Sequence, residues 1–161
     1  MPPYSNFKNI LVILCFLIIL GNPFFKNVNA ATGNGSVDNT IVINKDTANG
    51  PSLSAGDYYG ISSDSLRDLN GDGIDDIVVG AYQADGAGTD GSMQGEIHIH
   101  FMNSDGSIDS TVTINGGTTN GPTVNNADMY GFSVANIGDL NNDGVTDIAV
   151  GAYLDDAGGS N

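Results

Sequence analysis

The feature that most constrains the fold of this chain is an internal repeat with a period of 71 residues. A shift by that period brings Asp68 onto Asp139 and aligns residues 34–90 with residues 105–161 without a gap. About half of the aligned positions are identical, and low-complexity coincidence does not produce a gapless match of this length. Repeats of tens of residues are typical of solenoids and propellers, in which one supersecondary unit recurs along the chain. We therefore expect one structural unit that occurs once in full and once in part.

Local patterns within one period predict strands and turns, because no amphipathic helical stretch of useful length is present. The pair Asp105-Gly106 suits a tight hairpin turn between the last two strands. Four short antiparallel strands are the content of one propeller blade, so the predicted fold class is all-β, with β-propeller blades of four antiparallel strands. The four candidate strands of the complete period are Gly60–Leu66, Asp76–Tyr82, Glu96–Met102 and Ser110–Asn115.

The domain organisation predicted for residues 31–161 is the end of one blade, one complete blade and half of another. Residues Thr40–Asn44 are the outer strand of a preceding blade, residues 58–115 are the complete blade, and residues 128–161 are the first half of the next. A propeller closes with 4–8 blades, and an open fragment exposes strand edges. We expect the sequence to be truncated and further repeats of the same chain to follow; assembly of several chains into one ring is the alternative.

Residues 1–30 have the three parts of a secretory signal. Lys8 supplies the positive charge, Ile10–Leu20 is continuously apolar, and Val28-Asn29-Ala30 reads as a cleavage site. The apolar run is short for a membrane-spanning helix. An uncleaved anchor and a lipid-modified Cys15 are the alternatives. We predict a chain that is cleaved after Ala30, is secreted, extracellular or at the cell surface, and does not insert in a membrane after cleavage.

The charge of the chain disfavours several classes of partner. The net charge is −15, and removal of the leader takes away two of the four basic residues and the single cysteine. Nucleic acid and anionic membranes bind through Lys and Arg, so both are poor partners. Disulfides cannot stabilise the mature chain, whereas divalent cations suit clustered carboxylates. Acidity with many glycines is also compatible with disorder, but the regular apolar runs favour a folded domain.

An Asp-rich segment at residues 68–76, repeated at residues 139–147, carries the clearest chemical signal. Oxygen side chains at loop positions 1, 3, 5 and 9, with Gly at position 6 for the sharp turn, are what a hard cation with six or seven oxygen ligands requires. Position 7 offers its backbone carbonyl, so an apolar side chain is acceptable there. The candidate ligands are Asp68, Asn70, Asp72, Ile74 and Asp76 in the first copy, and Asp139, Asn141, Asp143, Val145 and Asp147 in the second.

Calcium is the predicted cofactor, because the loop offers many oxygens and a flexible geometry, whereas magnesium usually keeps several waters. An EF-hand requires Glu at position 12, where this chain has Val79 and Val150. The loop is therefore expected to join two strands, with its ninth residue replacing the distant Glu. A metal-free Asn-Gly or Asp-Gly hairpin is the alternative, although agreement between two copies disfavours it.

Few other residues suggest a site. Glu96, His98 and His100 share one face of a candidate strand and could hold zinc, but such a row is more often the polar face of an alternating strand. We predict that the two histidines form no functional metal site. No arrangement of nucleophile and base, or of paired carboxylates, stands out, so the chain is predicted not to be an enzyme. Asn34-Gly35-Ser36 is a glycosylation sequon.

The order of these motifs resembles the FG-GAP repeat of the integrin α-subunit propeller. The resemblance rests on Tyr130-Gly131, the Asp-rich loop and Gly151-Ala152-Tyr153, and on Tyr59-Gly60 and Gly80-Ala81-Tyr82 in the first copy. Tyr replaces both the Phe and the Pro of the family motif. The resemblance implies a seven-bladed propeller with calcium in inter-strand loops and a role in adhesion or recognition of an extracellular protein or glycan ligand. The alternatives are a non-catalytic appendage of a larger secreted hydrolase and a structural cell-surface array.

Overall fold

The structure is a computed structural model that describes residues 11–13, 25–29 and 39–156. This part of the chain is all-β, contains no helix that could cross a membrane, and pairs its strands antiparallel within three sheets. The fold class predicted from the sequence is confirmed. The strands are β1 (Leu11–Ile13), β2 (Phe25–Asn29), β3 (Asn39–Ile43), β4 (Tyr59–Arg67), β5 (Asp76–Ala81), β6 (Glu96–Met102), β7 (Ile108–Ile114), β8 (Tyr130–Gly138) and β9 (Asp147–Ala152).

Strands β4 to β7 form one four-stranded antiparallel sheet in chain order, here called blade 1. Each lies within two residues of a strand predicted from the sequence. The turn between β6 and β7 is tight, because the Asn103 N–H donates to Ser107 O at 2.8 Å and Gly106 has a φ of +84°. Strands β8 and β9 pair with each other in the same way as β4 and β5 and are here called half-blade 2.

Strand β3 coincides with the predicted outer strand Thr40–Asn44 to within one residue. It pairs with β2, and β2 pairs with β1, in a separate three-stranded sheet. Strands β1 and β2 belong to the segment predicted as a secretory signal. The rest of that segment, including Ala30 at the predicted cleavage site, lies outside the described residues, as does the sequon at Asn34.

Two apolar clusters lie on opposite faces of blade 1. Successive side chains of a strand point to opposite faces, so Ile77 and Val79 of β5 belong to one cluster and Val78 to the other. All six residues of β5 are buried, which stabilises the strand from both sides. Each fully buried Val or Ile side chain contributes about 1.5–3 kcal/mol relative to an exposed one. The second cluster lies between blade 1 and half-blade 2 and includes Leu66, Val78, Ile97, Ile99, Val134, Ile148 and Val150.

Blade 1 and half-blade 2 meet through backbone at a pair of glycines. A Cβ atom added to Gly80 would lie 2.0 Å from Gly131 O, so no side chain fits between the two strands. Ser62 Oγ donates to the same carbonyl at 2.9 Å. These are the glycines of the two short motifs on which the family resemblance rests, and their role is to let β5 and β8 approach closely.

A β-bulge near the end of the first strand of each copy aims the chain into the Asp-rich loop. The pairing of β4 with β5 shifts between Ser65 and Arg67, and that of β8 with β9 shifts between Asn136 and Gly138. The residue that follows the bulge has a positive φ in both copies, 59° at Arg67 and 76° at Gly138. Bulges re-aim a strand, and here each one places the next residue, an aspartate, at the start of the loop.

Candidate metal-binding loops

Loop 1, residues 68–76, connects β4 to β5 and is organised by its first aspartate. Asp68 Oδ1 accepts hydrogen bonds from the N–H groups of Gly71, at 2.6 Å, and Asp72, at 3.0 Å. Asp68 Oδ2 accepts from the Gly73 N–H at 2.7 Å. Three successive backbone donors therefore converge on one carboxylate, and the loop wraps around it. Positive φ values of 83° and 87° at Gly71 and Gly73 permit this path.

The side chains at positions 3 and 5 of loop 1 are hydrogen-bonded to each other. Asn70 Oδ1 accepts from the Asp72 N–H at 3.0 Å, and Asn70 Nδ2 donates to Asp72 Oδ2 at 2.8 Å. Asp72 Oδ1 accepts from the Ile74 N–H at 2.8 Å. These hydrogen bonds link Asp68, Asn70 and Asp72 to one another within loop 1.

Asp76, at position 9, is buried and ties loop 1 to two strands. Its Oδ2 accepts from the Leu69 N–H at 2.8 Å, and its Oδ1 accepts from the Met102 N–H of β6 at 3.0 Å. Burial raises the pKa of this carboxyl, and the nearby Asp72 and Asp68 carboxylates raise it further, while the two hydrogen bonds lower it. An ionised Asp76 is thus costly next to two other carboxylates, and a cation in the loop would offset that cost.

Loop 2, residues 139–147, repeats most of this network. Asp139 accepts from the N–H groups of Asp143 and Gly144 at 3.0 and 2.9 Å, and Asn141 Nδ2 donates to Asp143 Oδ2 at 2.9 Å. Hydrogen bonds from the Val145 N–H and from Asn141 hold the pKa of the Asp143 carboxyl below its usual range. Asp147 accepts from the Leu140 N–H at 2.7 Å. The equivalent bonds in loop 1 have closely similar lengths, so the repeat in sequence is also a repeat in structure.

The oxygen side chains of both loops are of the kind that a hard cation takes, although in the described part of the chain the three candidate carboxylates of neither loop all lie within 4.8 Å of one another. A carboxylate oxygen carries about two acceptor sites, and several oxygens in loop 1 accept only one hydrogen bond, including Asp68 Oδ2, Asp72 Oδ1 and Asn70 Oδ1. The donor set of three carboxylates and one amide is the one that calcium prefers. The cation would neutralise carboxylates that otherwise repel each other, and the backbone N–H groups of the loop already hold these side chains in place.

A different acidic cluster was missed by the sequence analysis. Among the described residues, the one trio of metal-binding side chains with ligand atoms all within 4.8 Å of one another is Asp128, Asp155 and Asp156. It lies at the end of half-blade 2 opposite loop 2. The repeat contained a signal for it, since Asp57 and Asp85 occupy the positions equivalent to Asp128 and Asp156.

The histidine row on β6 is buried, so its interpretation as an ordinary polar face of a strand requires correction. His98 and His100 are both fully buried, because neighbouring elements cover both faces of β6. His100 bonds through its two ring nitrogens to Tyr59 Oη, at 2.7 Å, and to Thr111 Oγ1, at 2.8 Å. His98 Nδ1 lies 3.0 Å from Thr113 Oγ1. His98 Nε2 is 3.1 Å from Glu96 Oε1 but lacks the alignment of a hydrogen bond.

An aromatic row runs across the end of the sheets opposite the two loops. Tyr58 contacts Tyr82, Tyr82 contacts Phe132, and Phe132 stacks on Tyr153, with ring centroids 5.3, 5.4 and 4.9 Å apart. Tyr58, Phe132 and Tyr153 are exposed. A continuous row of exposed aromatic rings is uncommon on a surface without a partner.

Comparison with known proteins identifies the repeat. The model of the FG-GAP repeat matches residues 59–100, which span β4, loop 1, β5 and part of β6. The chain contains an FG-GAP repeat. Human integrin alpha-6 is 42% identical over 95 residues, and Xenopus laevis integrin alpha-5 is 33% identical over 97 residues. Mouse integrin alpha-3 is 38% identical over 105 residues.

These matches cover 58%, 59% and 64% of this chain but only 8%, 8% and 9% of the respective integrin chains. The chain therefore spans less than a tenth of the length of these relatives. The FG-GAP repeat and these relatives support the resemblance predicted from the sequence. The antiparallel sheets are consistent with a β-propeller fragment built from such repeats.

Proposed function

We propose that the FG-GAP repeat region is an extracellular calcium-binding propeller module for adhesion or recognition. The cation sits in loops 1 and 2, held by Asp68, Asn70, Asp72 and Asp76 and by their equivalents in the second copy. It makes the end of each hairpin rigid, and the chain itself catalyses no reaction. Further repeats of the same chain complete the ring, and residues 1–30 direct export and are removed.

The observation that carries the calcium assignment is the agreement between the two loops. Two segments 71 residues apart fold the same carboxylate and amide oxygens around the same backbone donors. A turn that needed no ligand could use many other residues. The candidate-ligand carboxylates, three in each short loop, instead repel one another, and a divalent cation removes this repulsion.

Recognition is supported by the aromatic row and by the likeness to integrin alpha chains. Aromatic side chains are enriched in protein interfaces, and acidic groups flank the row at Asp128, Asp155 and Asp156. A ligand at this end would not contact the two loops at the other end. Calcium therefore acts on the scaffold, and the ligand is an extracellular protein or glycan.

The test of the calcium assignment is thermal unfolding of the full chain with calcium and with chelator. Extracellular modules bind calcium with dissociation constants of about 10⁻⁴ to 10⁻³ M. Calcium at 100 times the dissociation constant should stabilise the fold by about 2.7 kcal/mol per site. Asp72→Ala and Asp143→Ala should each lose at least the calcium-dependent stabilisation that comes from their own loop.

Asp75→Ala is the matched control, because it removes one negative charge from loop 1 at a position that is not a candidate ligand. It should keep the full calcium response. A wild-type midpoint that does not move with calcium, or an equal loss of response in Asp75→Ala and Asp72→Ala, would contradict the assignment.

A further inference from the structure

One asparagine of half-blade 2 forms hydrogen bonds to both copies of the repeat. The Asn136 N–H donates to Asp64 Oδ2 at 2.8 Å, and Asn136 Nδ2 donates to Ser65 O at 2.7 Å. Both partners belong to β4 of blade 1. Asn136 Oδ1 accepts from the Gly138 N–H of its own strand at 2.8 Å. All three bonds are partly buried, so water replaces them poorly.

The partners of Asn136 lie next to the ends of both loops. Gly138 immediately precedes Asp139, the first candidate ligand of loop 2. Ser65 pairs across the sheet with Ile77, which immediately follows Asp76, the last candidate ligand of loop 1. Asn136 therefore connects the exit of loop 1 to the entrance of loop 2 through two backbone contacts and its own side chain.

Asp64 adds a charge to this link and fixes its position on blade 1. Its Oδ1 accepts from the Ser65 N–H at 2.8 Å, while its Oδ2 accepts from Asn136. Hydrogen bonds to an ionised acceptor are roughly twice as strong as those between neutral groups. The link also adjoins the apolar cluster between the blades, to which Leu66 and Val134 belong.

We propose that Asn136, anchored by Asp64, couples calcium binding in loop 1 to calcium binding in loop 2. This inference rests on the proposed calcium function. A cation that orders one loop also fixes the strand ends to which Asn136 is bonded, and the other loop then loses less freedom when it binds. Asn136 is a positioning residue and not a ligand, and the coupling makes binding positively cooperative.

The test is a calcium titration of the full chain followed by NMR, with one backbone amide as a reporter in each loop. The N–H groups of Gly73 and Gly144 donate to the first aspartate of loop 1 and loop 2, so each reports its own site. In an otherwise unchanged chain, Asp72→Ala should weaken the calcium affinity of loop 2, as reported by the Gly144 amide, by about fivefold. This factor is the lower end of typical allosteric couplings. In an Asn136→Ala background, Asp72→Ala should leave that affinity unchanged.

Two further variants separate coupling from general damage to the fold. Asp64→Ala removes the anchor without touching half-blade 2 and should abolish the coupling as Asn136→Ala does. Ser65 occupies the repeat position equivalent to Asn136. The variant Ser65→Ala keeps the backbone carbonyl to which Asn136 donates, so it should retain the coupling. The amide spectrum in chelator shows whether each variant is folded.

The outcomes distinguish this inference from the function on which it rests. If neither glycine amide responds to calcium in the wild type, the calcium function is wrong and the coupling falls with it. If both respond but the loops bind independently, or if the coupling persists in folded Asn136→Ala and Asp64→Ala, calcium binding stands and the role of Asn136 is overturned.

Discussion

The buried imidazole of His100 can keep both of its hydrogen bonds only while the ring is uncharged. Burial, together with a smaller contribution from the neighbouring His98, lowers the pKa of His100 to about 3. The neutral ring can satisfy Tyr59 and Thr111 at the same time, because one of its nitrogens donates and the other accepts. A charged ring would have two donors and no water around it.

We predict that this histidine makes the protein sensitive to acid in chelator. An unfolded histidine binds a proton near pH 6.5, whereas folded His100 does so near pH 3, so the unfolded state binds more protons between these values. The free energy of unfolding should therefore fall as the pH drops from 6.5 towards 3, by up to about 1.4 kcal/mol per pH unit. Denaturant unfolding at several pH values measures this slope, and His100→Gln should flatten it.

Asp57→Asn is a control that should change the acid slope of the unfolding free energy in the opposite direction to His100→Gln. Burial raises the pKa of the Asp57 carboxyl, with the Glu96 and Asp85 carboxylates adding to the effect, so the folded state takes up this proton first as the pH falls. That uptake stabilises the folded state in acid. Asp57→Asn removes it, so the free energy of unfolding should fall more steeply as the pH drops. An acid slope that His100→Gln leaves unchanged would contradict the account.

At the scale of elements, the distance between β5 and β8 is set by glycine, and the second copy offers an unusual internal control. Gly151 is the repeat equivalent of Gly80. A Cβ atom at Gly151 would meet Ser133 Oγ at 2.4 Å, as a Cβ at Gly80 would meet Ser62 Oγ at 2.4 Å. Gly80 alone also faces a neighbouring strand backbone, at Gly131 O.

We predict that Gly80→Ala destabilises the fold much more than Gly151→Ala. Overpacking of a tight contact costs about 1–3 kcal/mol, and the backbone of β8 cannot rotate away as a serine hydroxyl can. Gly151→Ala should cost less than about 1 kcal/mol, as surface and loosely packed substitutions usually do. Urea unfolding of both variants measures the difference; equal costs would show that the close approach of β5 and β8 is unimportant for stability.

Strands β3 to β9 could be predicted from the sequence, whereas β1, β2 and the contacts between elements could not. Apolar runs bounded by Gly, Asn and Asp are local signals, so the strands and the positions of both Asp-rich loops followed from them. The contact of Ser62 with Gly131 and that of Ser65 with Asn136 join residues 69 and 71 positions apart. No local pattern specifies such pairs. The burial of His98 and His100 was missed for the same reason, since it depends on which elements cover β6.

At the scale of the whole molecule, repulsion between like charges opposes folding. The full chain has 19 acidic and 4 basic residues. Within the described residues the cation Lys45 pairs with its neighbour Asp46 on an exposed turn, which contributes little to stability. Compaction therefore brings many carboxylates together without matching positive charges.

We predict that simple salt stabilises the protein in the absence of divalent cations. Raising NaCl from about 10 mM to about 150 mM shortens the Debye length from about 30 Å to about 8 Å, which screens most repulsion between surface carboxylates. The thermal midpoint in chelator should rise over this range. An uncharged osmolyte at matched osmolality should not reproduce the whole rise, and a midpoint that falls with NaCl would contradict the prediction.

The apolar cluster between blade 1 and half-blade 2 has a consequence for the chain while it is being made. Blade 1 is complete once Ile114 has been added, but Val150, which covers part of its second face, follows only 36 residues later. Ribosomes add about 5–20 residues per second, so the second face of blade 1 stays uncovered for about 2 to 7 s. During this interval Val78, Ile97 and their neighbours form an exposed apolar surface on the nascent protein, which chaperones and neighbouring nascent chains can bind.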